Sequence, residues 1–119
     1  MKVAAATPQV RVADPAYNAA RIIEKMDEAA KLGAKLLVLP ELCLTGYTCG
    51  DLFWSQKLLE GALAGLETVR AHSGGLPLLT AVGLPLCFGG KLYNAAAVVQ
   101  GGAVLGVVPK TCLPNYGEY

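Results

Sequence analysis

Apolar positions along this chain follow two different rhythms, and the change between them divides it into two halves. Residues 2–7, KVAAAT, are a short apolar run closed by Pro8, the mark of a buried first strand. Asp14 followed by Pro15 starts a helix, with a side-chain cap and then a proline where no N–H is missed. Ala19, Ile22, Ile23, Met26, Ala29 and Ala30 then recur at helical spacing, while Arg21, Lys25, Glu28 and Lys31 fall mainly on other faces. Gly33 ends the helix in the left-handed conformation that glycine tolerates. Residues 36–39, LLVL, are apolar at every position, the pattern of an inner strand covered on both faces. Strand, helix and strand in this order predict a parallel crossover.

A second helix carries the stripe Leu58, Leu59, Ala62, Leu63, Leu66 and Val69, with Asp51 or Ser55 as its cap and Gly74–Gly75 as its end. Gly61 and Gly65 lie within it, each costing on the order of 1 kcal/mol relative to alanine, which predicts a close helix contact. The rhythm then changes. LPLLTAVGLPLCF, KLYNAAAVVQ and AVLGVVPK are strand-like runs separated by Gly89–Gly90 and Gly101–Gly102, the signature of tight hairpins and an antiparallel meander. The whole reads as an α/β fold, a mixed sheet with helices outside. The closing LPNYGEY forms no element of its own, and the chain reads as stopping within a domain.

Composition narrows the function classes. The 119 residues suit one domain, and a net charge of +1 is no footprint for nucleic acid. No apolar stretch reaches the roughly 18 residues of a membrane span. The amino terminus is broken too early, by Pro8 and Arg11, for a secretory signal. A soluble, cytoplasmic protein is expected. Cys43, Cys49, Cys87 and Cys112 form no Cys-x-x-Cys pair, and with His72 as the one histidine no metal site is expected. At least three of these thiols are expected to be buried small hydrophobes. His72, at a helix end, is read as a partner for the helix dipole.

Two charges remain to be explained. Glu41 follows Pro40 past an inner strand, where α/β sheets bind ligands. Lys110 stands in a similar place after Val107, Val108 and Pro109. A salt bridge at the rim, worth about 0–1 kcal/mol, would account for both without any chemistry.

The wording around them points further. LLVLPELCLTGY resembles the first signature of the nitrilase superfamily, the carbon–nitrogen hydrolases, whose glutamate is the general base. LYNAAAVVQGGAVLGVVPKTCLP resembles the second, whose lysine stabilises the oxyanion. KVAAATPQVRVADPAYNAARI, TGYTCGDLF and KTCLPNYGEY resemble the glutaminase domains of bacterial glutamine-dependent NAD synthetases, and the resemblance covers residues 1–119. It implies an α-β-β-α sandwich of which this chain holds part, with Glu41 as base and Lys110 as oxyanion donor. The substrate implied is L-glutamine, and the carboxylate must stand at the rim of a mostly dry pocket to deprotonate a thiol whose pKa is about 8.5 in water. Glu41 and Lys110 are therefore expected within hydrogen-bonding range of each other.

By the same resemblance Tyr116 helps to hold glutamine, and Glu118 is a second acid that positions the lysine. A loop aromatic and a solvated carboxylate are the plain alternatives for these two. The family's cysteine nucleophile comes well downstream of the lysine, beyond Tyr119. Cys112 and Cys43, each two residues from a candidate charge, read better as buried or supporting thiols. Asp51 reads as a helix cap and Tyr47 as packing. Ammonia would serve a separate synthetase domain that amidates deamido-NAD with ATP and Mg²⁺, and helix pairing between subunits would give a homo-oligomer. A stand-alone amidase for another small amide, or an inactive structural fragment, are the competing readings. On its own this chain is expected to be inactive toward glutamine.

Overall fold

The computed structural model describes residues 1–110. Strand β1 (Val3–Ala5) leads to helix α1 (Pro15–Lys31) and strand β2 (Leu36–Val38). A short 3-10 helix (Gly50–Trp54) precedes α2 (Gln56–Ser73), and β3 (Leu79–Phe88), β4 (Lys91–Gln100) and β5 (Ala103–Pro109) follow. The five strands form one mixed sheet in chain order, β1-β2-β3-β4-β5. β1–β2 and β2–β3 pair in parallel, each joined through a helix, and β3–β4–β5 run antiparallel. Both glycine pairs make the expected turns: Gly89, Gly90, Gly101 and Gly102 all have φ between 59° and 81°.

Local chemistry sets the helix limits. Asp14 accepts a hydrogen bond from the Tyr17 N–H at 3.2 Å, Pro15 follows as the first helical residue, and Gly33 at φ 83° leads the chain out. α2 corrects one expectation. Ser55, not Asp51, caps it by accepting from the Leu58 N–H, and Asp51 lies inside the preceding 3-10 turn. The spacing decides this, because Asp51 is seven residues before Leu58 while Ser55 is at the cap position.

α1 and α2 pack against each other and onto one face of the sheet. Ile22, Met26, Val69, Leu37, Val82 and Val99 are fully buried in the resulting core. The two helix glycines make the close approach possible. A Cβ on Gly61 would sit 3.2 Å from Pro15 Cγ, and one on Gly65 would sit 3.0 Å from Leu44 Cδ2. His72 lies in the last turn of α2, as the dipole reading requires, and its Nε2 also lies 2.7 Å from Asp27 Oδ1, tying α2 to α1.

The sheet's other face differs from expectation. β2 is an inner strand, but Val38 is 46% exposed while its neighbour Leu37 is buried. Among the described residues helices cover one face only. The alternation of β3 shows it: Thr80, Val82 and Leu84 face the helices, and Ala81, Gly83 and Pro85 point the other way. The site lies on that second face.

Candidate active site

Glu41 is placed by the loop that leaves β2. The Leu39 N–H continues the parallel ladder to the Ala81 carbonyl at 3.1 Å, and the chain then turns sharply through Pro40, Glu41 and Leu42. Leu42 takes φ 54°, a left-handed conformation that leucine rarely adopts, with its side chain fully buried. Two short bonds close the turn, from Thr45 N–H (3.1 Å) and Gly46 N–H (2.8 Å) to the Leu42 carbonyl. The loop lies directly over Gly83. A Cβ there would meet Leu42 N at 2.5 Å and Pro40 O at 2.7 Å, so only glycine lets the loop cross β3.

Having crossed β3, Glu41 meets two donors on one oxygen. Lys110 Nζ lies 3.1 Å from Glu41 Oε1, and the Asn94 side-chain amide donates to the same Oε1. Lys110 is also fixed through its backbone, whose N–H donates to the Asn94 carbonyl at 2.8 Å, one rung beyond the Ala95–Pro109 pair. Asn94 is 6% exposed, while the Lys110 and Glu41 side chains are 36% and 38% exposed. The dry surroundings that the chemistry asks for are therefore not supplied by residues 1–110. These side chains, with Val38, Ala81 and Gly83, line a cavity of about 310 Å³ on the uncovered face. A larger recess of about 650 Å³ lies between α1 and α2. Its titratable lining groups are Asp14, already used as a cap, and Lys57, so size does not mark the chemistry here.

Glu41 and Lys110 stand out in the sequence, and Asn94 does not. A signal existed, since Asn94 is an amide inside an otherwise apolar strand, at a position whose cross-strand partner is Pro85 on the uncovered face. Tyr116, Glu118 and Cys112 lie outside the described residues. Tyr47 is 37% exposed at the edge of the loop.

None of the described cysteines is arranged as a nucleophile for this pair. Cys43 is buried, donates to the Gly83 carbonyl at 3.6 Å, and its thiol is pushed up to about 11 by desolvation. Cys49 is likewise raised by burial and donates to the Thr45 carbonyl at 3.2 Å. Cys87 is exposed near the end of the β3–β4 hairpin, where the strand outruns the helices. Among the described residues no group of three or more His, Cys, Asp and Glu could hold a metal ion, and no helix is long and apolar enough to cross a membrane.

Comparison with known proteins places the chain in a family. The carbon–nitrogen hydrolase family model matches residues 2–118. The chain is 40% identical over 119 residues to the glutamine-dependent NAD(+) synthetase of Mycobacterium tuberculosis, covering 100% of itself and 18% of that protein. It superposes on the crystal structure of a glutamine-dependent NAD(+) synthetase from Cytophaga hutchinsonii with a TM-score of 0.87 and 32% identity, covering 95% of itself and 19% of that chain. An amidase from Nesterenkonia sp. shares the fold, with a TM-score of 0.79 at 23% identity, over 99% of this chain and 45% of that one. The chain thus spans about a fifth of the length of the curated relatives it matches. It belongs to the carbon–nitrogen hydrolase family.

Proposed function

From that membership we propose that the chain is the leading part of a glutaminase domain, delivering the general base and the oxyanion donor of a glutamine amidohydrolase. The observation that carries this reading is the meeting of Glu41 and Lys110 over one cavity in a chain similar to glutamine-dependent NAD(+) synthetases. Glu41 takes the proton from a cysteine thiol supplied by a later segment, and the thiolate adds to the side-chain carbonyl carbon of L-glutamine. Lys110 donates to the oxygen that becomes negative. The protonated Glu41 returns its proton to the amide nitrogen, ammonia leaves and a thioester remains. Glu41 then deprotonates water, which attacks the thioester and releases glutamate with the thiol restored. Tyr116 holds the substrate and Glu118 positions the lysine.

On this reading the uncovered face of the sheet receives the second sheet of an α-β-β-α sandwich, which also dries the cavity around Glu41. Helix pairing through α1 and α2 forms a homo-oligomer, and the enzyme works in the cytoplasm. The ammonia amidates deamido-NAD in a synthetase domain where ATP and Mg²⁺ belong, and no step described above runs through either of them. The test is release of ammonia and glutamate from L-glutamine by the full-length protein that carries these residues. Hydrolysis abolished by Glu41→Gln supports the proposal, and so does the absence of ammonia release by the 119-residue chain alone. Hydrolysis of other small amides with none of glutamine overturns it.

A further inference from the structure

Among the described residues, Asn94 is hydrogen-bonded to both members of the charged pair. Its side-chain amide donates to Glu41 Oε1, and its main-chain carbonyl accepts the Lys110 N–H at 2.8 Å. We infer that Asn94 is the positioning residue of this site: it locks Glu41 and Lys110 in one geometry and leaves Glu41 Oε2 as the oxygen that takes the thiol proton. The inference rests on the glutaminase reading and adds to it the means by which the base is aimed.

The chemistry of an amide suits this role. Glu41 is negative and Lys110 positive, so a neutral donor fixes the carboxylate without changing the charge of the pair. A serine or threonine hydroxyl ends one bond nearer the backbone than the asparagine amide nitrogen, and a lysine or arginine would add a charge. Asn94 is 6% exposed, which shields its bond to Glu41 from competing water, whereas Lys110 is more than a third exposed. Anchoring matters because Glu41 sits on a turn and would otherwise lose its aim through free side-chain rotation. Among the described residues both donors engage Oε1, and Oε2 has no donor. The transfer is then specific: the S–H bond breaks, an O–H bond forms at Oε2, and the thiolate is left to attack. Asn94 itself touches no reacting atom. It sits opposite Pro85 of β3 and one rung beyond the Ala95–Pro109 pair of β4 and β5, where the Lys110 N–H reaches its carbonyl. A shift of Asn94 therefore moves the base and the cation together.

The experiment uses the full-length protein, with Asn94→Leu (similar volume, no donor), Asn94→Asp (same shape, a carboxyl in place of the neutral amide) and Glu41→Gln as reference. Both Asn94 variants are expected to lower kcat for glutamine by about tenfold to a hundredfold, as misplacement of a catalytic group does, while KM moves less than about threefold. Thermal melting shows which variant remains folded, and where Asn94→Leu does not, Asn94→Asp decides. A folded variant with kcat within about threefold of wild type, or one that raises KM at unchanged kcat, overturns the inference. If Glu41→Gln itself leaves hydrolysis intact, it is the glutaminase reading that fails.

Discussion

Lys110 and Glu41, 69 positions apart in the chain, meet with 3.1 Å between Nζ and Oε1, just past the ends of β5 and β2, two strands separated in the sheet by β3 and β4. Both side chains are more than a third exposed, so the pair contributes no more than about 1 kcal/mol to stability. Its geometry is therefore better read through chemistry than through folding. Replacing Glu41 with Gln in the full-length protein is expected to lower kcat for glutamine by about 10²–10⁴-fold. Lys110→Met is expected to cost about 10²–10³-fold. Chemical denaturation should show both variants within about 1 kcal/mol of wild type. A large stability loss with retained turnover would make the pair structural.

Gly83 is expected to be intolerant of even a methyl group. Alanine there would force its Cβ to 2.5 Å from Leu42 N and 2.7 Å from Pro40 O, both backbone atoms of the loop that carries Glu41. Gly83→Ala should destabilise by about 3 kcal/mol, as overpacking does, and should depress turnover by displacing the base. Denaturation midpoints together with kcat measure the two effects.

The cap of α2 gives a sharper comparison. Ser55→Ala removes the acceptor for the Leu58 N–H and is expected to cost about 1 kcal/mol. Asp51→Ala, inside the 3-10 turn, should change stability by less than about 0.5 kcal/mol, as surface substitutions away from special features do. Equal losses at the two sites would contradict the assignment.

Burial of the Cys43 thiol predicts a pH dependence. Its pKa is raised from the ordinary 9.0 to about 11, chiefly by desolvation. The folded state thus holds this proton more tightly than the unfolded chain does. The associated stability is fully present below about pH 9 and is lost as pH rises toward 11. Two pH units correspond to roughly 2–3 kcal/mol. Stability curves of wild type and Cys43→Ala should converge over that window, and in the native protein Cys43 should resist alkylation at pH 8. Rapid alkylation without unfolding would refute the burial.

Periodicity made most elements legible. Asp14–Pro15 and Gly33 bound α1, and the glycine pairs at 89–90 and 101–102 turn the meander, because caps and tight turns depend on a few adjacent residues. The same logic failed where a residue's role lay in a distant partner. His72 does sit in the last turn of its own helix, but its second role, the pairing with Asp27 of α1, was not visible from there. The unbroken apolar run of β2 suggested cover on both faces, and among the described residues only one is covered.

By itself the sequence determined which elements form, where they turn, and which two charged residues stand at strand ends. Only the tertiary structure decided that those ends meet. Glu41 leaves β2 and reaches Asn94 and Lys110 because its loop crosses β3 at Gly83, the one point where no Cβ stands in the way. Such a crossing depends on backbone atoms about forty positions apart coming within van der Waals distance. No local pattern encodes that contact, because it exists only once β2 and β3 have paired.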